Sequence, residues 1–276
     1  MIRKTNNLQN ILTGSILMAG SLIMVTPFIW MILTAFKTPA ELNQWPPSIL
    51  PDQLHFQNFI EVFQKITIPQ YLLNSLGVAV ISSLSIVLTS TLSGYIFAKF
   101  HFRGKNLLFA LVLATAIVPF EIYMIPLYLQ IKDLNLVNTF PSLFLPYLVM
   151  SFGIFFMRQN IIQQIPDELM EAARVEGASE WTIFLKIILP LCKAPISALA
   201  IFAFIEAWNA FIWPLLVMGE KTLYTMELGL AMLQSSFGIE LNIVSAGAVI
   251  SVLPILFVFL ILRKHIIESV AQTGLK

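Results

Sequence analysis

The chain has 276 residues, a formal net charge of +1 and one cysteine, Cys192. Hydrophobic residues make up 58% of it and charged residues only 11%, against roughly 25% charged in a soluble domain, and its mean hydropathy is +0.83. This excludes a soluble globule and an intrachain disulfide. The near-neutral total carries no electrostatic signal for nucleic acid, so no such partner is expected, and His55, His101 and His265 are too scattered to suggest a metal centre. The expected fold class is all-α: a polytopic membrane protein of six transmembrane helices embedded in the lipid bilayer.

Taken in order, residues 1–10 are polar and carry Arg3 and Lys4. Residues 11–33 form an uncharged run about as long as a bilayer requires. The run is too long for a signal-peptide core and has no small-residue cleavage site after it, so it reads as a retained span. Residues 37–70 contain Pro39, Pro46, Pro47, Pro51 and Pro69 and read as a loop with a short helix near 56–65. Further spans are expected at about 71–98, 107–129, 140–157, 187–216 and 243–262, giving a membrane domain over 11–265 and a tail over 266–276. Between them lie a basic turn at 99–105, a short loop with Lys132 and Asp133, a charged island at 158–186, and a polar loop at 219–241.

Lys and Arg orient the chain. With the N-terminus cytoplasmic, Lys37, Lys65, Lys132 and Lys221 fall on the far side, and the other twelve of the 16 fall on the cytoplasmic side. The positive-inside rule therefore puts both termini and the island in the cytoplasm.

The island reads as two short helices. Pro166 suits a first helical position, with Asp167 and Glu168 favourably placed in the first turn. Ile165, Leu169, Ala172 and Val175 or Glu176 have helical spacing and predict its apolar face. Gly177 can take a positive φ and end the helix, Ser179 can cap the next, and Pro190 should interrupt whatever helix carries residues 187–189. Within the spans, Glu121 (between Pro119 and Pro126) and Glu206 are the outstanding groups. Ionisable side chains at such depth are costly and mark pathways, so Glu121, Tyr123, Glu206, Trp208 and Asn209 are candidate lining of a translocation pathway.

Glu171-Ala172-Ala173, then three residues, Gly177 and the later Leu189-Pro190 resemble the EAA motif. That motif marks the membrane subunits of bacterial ATP-binding-cassette (ABC) importers. The stretches 93–104, 125–139 and 206–216 are similar to the second, third and fifth span regions of the carbohydrate-type group, maltose-type second permeases among them, and the resemblance runs over about 10–270. The tail departs from the group, lacking its Lys-Gly ending. The resemblance implies a type I ABC importer fold in the bacterial cytoplasmic (inner) membrane, with alternating access. It implies import of a carbohydrate or related polar solute: a sugar, oligosaccharide or glycerol phosphate. It also implies a second permease subunit, two ATPase subunits and an extracytoplasmic solute-binding protein. Glu171, Ala172, Ala173, Arg174, Gly177, Leu189 and Pro190 would then be the ATPase-coupling residues, with Glu171 pairing with the ATPase, the alanines allowing close approach and Gly177 setting the turn.

The chain has no ATP site of its own. The one Gly-Lys pair, Gly104-Lys105, is followed by Asn106, and Lys99 stands where a P-loop needs its first glycine. No cofactor is expected on this chain, ATP residing on partners. No clustered nucleophile, base or metal set supports an enzyme. The alternative is an ion-coupled secondary transporter using Glu121 or Glu206, although no inverted repeat is visible between the halves.

Overall fold

The computed structural model describes residues 7–237 and 240–273, with side chains described over 11–234 and 240–264. The described residues are helical, joined by turns, with no strand. In chain order the helices are α1 Asn7–Ala35, α2 Pro39–Leu42, α3 Gln57–Lys65, α4 Ile68–Lys99, α5 Lys105–Ile117, α6 Phe120–Asp133, α7 Phe140–Phe144, α8 Ser151–Gln164, α9 Asp167–Val175, α10 Glu180–Ile183, α11 Leu189–Leu191, α12 Lys193–Trp208, α13 Ile212–Val217, α14 Met226–Phe237 and α15 Leu241–Thr273. Three are long and apolar enough to cross a membrane unaided, within α1, α4 and α15, and three bent pairs bring the number to six. A continuous helix satisfies its own backbone, which is why these apolar runs wind as they do.

The bent pairs depart from the straight spans expected at 107–129, 140–157 and 187–216. α5 and α6 meet at 98°, where Pro119, at φ −59° and ψ 141°, cannot continue the helix. α7, extended by a 3₁₀ turn at Leu145–Tyr147, meets α8 at a 44° bend across residues 148–150, and α8 runs on to Gln164, into the stretch assigned to the island. The fifth span bends by 79° at Cys192, after a π-helical stretch over Phe184–Ile188 and the turn carrying Pro190. It ends at Trp208, and 212–217 is a separate short helix. The loop expected at 219–241 contains α14, whose Met226, Leu228, Leu230 and Leu233 are buried. α15 continues to Thr273, through most of the expected tail. Arg3, Lys4 and residues 274–276, used in the charge count and the tail assignment, lie outside the described residues.

The chain forms two compact units. One comprises the described part of Met1–Ile68 with Leu230–Val252. Every side chain from 11 to 30 on α1 is exposed and most are apolar, as a lipid-facing helix requires. Beyond α1 the unit is tied by buried polar groups. Asn58 Nδ2 donates to the carbonyls of Ala35 (2.9 Å) and Lys37 (2.8 Å), and its Oδ1 accepts from Asn242 at 2.8 Å. Lys37 is buried and donates to the Ser48 carbonyl, and Lys65 pairs with Glu240.

The other unit comprises Pro69–Gly229 with the described part of Leu253–Lys276. Its core joins Ile86 and Tyr95 of α4, Met157 and Ile161 of α8, and Leu199 and Ala203 of α12. α4 and α8 cross closely at Gly94. A Cβ there would lie 2.8 Å from Met157 Cβ and 2.9 Å from the Arg158 backbone nitrogen. Small residues are what let membrane helices approach so far.

Backbone cannot move aside as a side-chain tip can, so Gly94→Ala should destabilise the folded chain by about 1–3 kcal/mol. Thermal unfolding in detergent, followed by size exclusion, should show a lower midpoint. An unchanged midpoint would mean that α4 and α8 are not held at this distance.

Candidate functional site: a charged loop and an aromatic cavity

The island, 158–186, is sewn into the core rather than hung from it. Ile165, Met170, Ile183 and Phe184 are all buried in the cluster that holds Tyr95 and Met157, with Ala173 and Ala178 packed against it. The inward face of α9 is therefore Met170 and Ala173. Leu169, Ala172 and Val175, expected to form the apolar face, point outward, Val175 being 89% exposed. Both sets have helical spacing, and only the depth of the neighbouring core decides between them.

The turn after α9 is set by hydrogen bonds and one φ. Ala178 N–H donates to the Ala173 carbonyl (2.9 Å) and Gly177 N–H to that of Arg174 (3.0 Å), the paired bonds of a Schellman ending. Gly177 has φ +84°, with open space where a Cβ would stand, so its requirement is conformational. Ser179 then caps α10 by accepting from the Thr182 N–H at 3.2 Å. Pro166 sits at the N-cap of α9, one position before the first helical residue expected for it.

Two clasps from the end of α4 hold the island. The Tyr95 hydroxyl, on a buried ring, donates to Glu180 at 2.6 Å, and Glu180 also accepts from Arg174 Nε at 2.7 Å. Lys99 Nζ reaches both the Ile165 carbonyl (2.5 Å) and Asp167 (2.6 Å). Its side chain is 6% exposed while that of Asp167 is 75% exposed. The Lys99 hydrogen bond holds the Asp167 carboxyl below the usual carboxylate range. Its contribution is thus present above the ordinary value and lost only as pH falls through the lowered one, leaving the pair intact near neutrality. Further back, Arg158 Nε donates to the Phe97 carbonyl (3.1 Å), its guanidinium 4.3 Å from the centre of the Phe109 ring.

Of the coupling residues expected from sequence, Glu171, Ala172, Arg174 and Gly177 lie on the exposed side of the island and Ala173 packs inward. Leu189 packs against the core, and Pro190 is exposed in the turn before the 79° bend. Tyr95, Lys99, Met170 and Glu180, which hold the island in place, had no signal of this role in the sequence because their partners are distant along the chain.

The same unit contains a cavity of about 730 Å³. Glu121, Tyr123, Glu206 and Asn209 line it, together with Tyr147 and Trp213, which the sequence reading did not include. Trp208 does not line it. Trp208 is fully buried and stacks on Phe204 at 5.7 Å between ring centres. On a helix of 3.6 residues per turn, Asn209 shares a face with Glu206 and Trp208 does not. Glu121 falls in the first turn of α6, immediately after the break at Pro119. Irregular backbone of this kind at membrane depth belongs beside a cavity or under protein. Phe120 centres the aromatic wall, against Tyr123 (5.2 Å), Tyr147 (6.1 Å) and Trp213 (5.9 Å). Trp213 Nε1 is fixed by donating to the Ser142 carbonyl at 2.7 Å. No group of three or more His, Cys, Asp or Glu among the described residues could hold a metal ion.

Broken and unbroken apolar helices, a charged loop packed into the core and a cavity lined by aromatic rings and two carboxylates fit a multi-pass membrane transport subunit. A family model described as "Binding-protein-dependent transport system inner membrane component" matches residues 90–272, and the chain belongs to that family. It is 35% identical over 257 residues to the arabinooligosaccharides transport system permease protein AraQ of Halalkalibacterium halodurans, covering 92% of each chain. It is 30% identical over 265 residues to the diacetylchitobiose uptake system permease protein NgcG of Streptomyces coelicolor, covering 95% of this chain and 87% of that one. Among solved structures it resembles a chain of a bacterial ABC transporter involved in the import of the acidic polysaccharide alginate. The TM-score is 0.80 at 19% identity, covering 96% and 98% of the two chains, a likeness of fold. The secondary-transporter alternative finds no support.

Tyr95→Phe should loosen the island without disturbing the core, removing a hydrogen bond to a charged group worth about 1.5–3 kcal/mol. Limited proteolysis of the purified protein should then cut within 167–179 faster than in wild type. Equal rates would mean that Tyr95 does not brace the loop.

Proposed function

We propose that this chain is one of two permease subunits of an ABC importer that brings a carbohydrate or related polar solute into the cytoplasm. The observation that carries this reading is the island's two-sidedness. Its inner side is continuous with the core of the membrane unit, and its outer side presents Glu171, Ala172 and Val175 on a helix whose ending is fixed by Gly177. Such an element can receive a push from a soluble partner and pass it to the spans. The partner proposed is an ATPase pair, which would bind ATP where this chain has no phosphate loop of its own. A solute-binding protein would deliver the solute from outside. The charge distribution supports cytoplasmic termini and a cytoplasmic island. The solute class rests on the relatives, whose names specify arabinooligosaccharides, diacetylchitobiose, lactose and sn-glycerol-3-phosphate. The pathway would run past Glu121, Tyr123, Glu206 and Asn209, which share one cavity.

Co-purification from native membranes with a tag on this chain tests the assembly. Wild type should bring down a second multi-pass chain and a soluble ATPase. Gly177→Asp should lose the ATPase or keep it with ATP hydrolysis uncoupled from uptake, since a charge is placed on the exposed turn without an internal clash. Gly177→Asn, uncharged and tolerant of positive φ, should keep most coupling. Recovery of the chain alone, still moving solute, would overturn the proposal.

Glu206→Gln should lower uptake severalfold while the complex still assembles. Unchanged uptake kinetics would remove Glu206 from the pathway.

A further inference from the structure

The two carboxylates in the cavity are unmatched. Among the described residues lining it there is no Lys, Arg or His, and neither Glu121 nor Glu206 makes an ion pair or hydrogen bond to another described residue. Three basic residues of the same unit are engaged elsewhere, Lys99 on Asp167 and Ile165, Arg158 on Phe97 and Phe109, and Arg174 on Glu180. Carboxylates at membrane depth that are not spent on an internal partner act on whatever enters the cavity. Low-dielectric walls focus the field of such groups, so like charge is excluded and opposite charge concentrated.

We infer that this cavity is a charge filter, admitting neutral or cationic polyhydroxylated solutes and repelling those that carry a phosphate, sulfonate or carboxylate. The rest of the lining fits that class. Phe120, Tyr123, Tyr147 and Trp213 offer ring faces and edges to the C–H faces of a sugar. The carboxylates and Asn209 accept hydrogen bonds from hydroxyl or ammonium groups but offer nothing that would neutralise an anion. The inference rests on the pathway reading above and narrows its solute.

The field can be measured without knowing the solute. In the assembled transporter, Cys192→Ala removes the native buried thiol, and Ala116→Cys or Val149→Cys places a new one on the cavity wall. Membranes are exposed on both sides to a cationic (trimethylammonium) or an anionic (sulfonate) methanethiosulfonate. Each labelling rate is divided by that reagent's rate with a free thiol. The expected result is a normalised preference for the cation of roughly tenfold or more, falling to near one when Glu121→Gln and Glu206→Gln are combined. A preference near one in the native background, as would follow if the partner permease supplied compensating cations, overturns the filter but leaves the aqueous pathway standing. A preference that survives the double substitution overturns its assignment to these two residues. If neither reagent labels either position from either side, the cavity is not a water-filled pathway and both readings fall. The two thiol positions are on different segments, so loss of assembly in one leaves the other to decide.

Discussion

The structure depends on the burial of one face of the island. Ile165, Met170, Ile183 and Phe184 are core residues of the membrane unit that happen to be carried by its most charged segment. Fully burying side chains of this size removes about 1.5–3 kcal/mol each from the exposed alternative, and that is what converts a polar connection into a fixed element. The polar clasps then remove the remaining freedom. Tyr95 and Lys99 lie about one helical turn apart at the end of α4, and each holds a different part of the island, Glu180 in the one case and Asp167 with the Ile165 carbonyl in the other. A displacement of α9, as the proposed coupling requires, would therefore reach α4 directly and not through a slack loop. The surface ion pairs alone would not accomplish this, since exposed pairs are worth little and are screened by salt.

The island is also joined covalently to the cavity. From α10 the chain passes through the π-helical stretch at Phe184–Ile188, the turn at Leu189–Leu191 and the bend at Cys192 into α12, which carries Glu206 and ends beside Asn209. A π turn is a common site of functional irregularity because one residue is out of register with the hydrogen-bond ladder. Here it falls where Phe184 and Ile188 are buried and Leu185 and Lys186 are exposed. With the 79° break, a push on the island of the kind proposed would not slide α12 along its own axis. On the proposed coupling it would lever α12 about its base, and the residues at its far end, roughly 24 Å away for 16 residues at 1.5 Å each, would move most.

Much of this was legible in the sequence because it depends on local chemistry. Apolar run length located α1, α4 and most of α15. Gly177 and Ser179 announce a helix ending and a cap, since each acts locally, whereas the break at Pro119 falls inside the single span expected at 107–129. What was not legible depends on contacts between distant residues. Choosing Met170 over Leu169 as the buried side of α9 requires knowing where α4 and α8 lie. Trp208 reads as a pathway residue only until helical phase is set against a known cavity wall. α14 was hidden because polar residues flank it and its 12 residues are too few to register as a span. Tyr147 and Trp213 join Glu121 and Glu206 only after the breaks at 118–119 and 145–150 fold the chain back.

The walls this chain contributes bear on how selectivity could work along the proposed pathway. Glu121, Tyr123, Glu206 and Asn209 are all exposed on this chain, so its own walls do not enclose a solute. A site in transit must bind weakly enough to release. Discrimination by shape demands desolvation and tight contact, which slow release. Discrimination by charge acts at a distance and costs little residence time. On the proposed pathway, an aromatic wall that tolerates any sugar face, combined with carboxylates that act on any anion, would separate solutes by class and leave their individual identity to the proposed solute-binding protein, which can hold them longer.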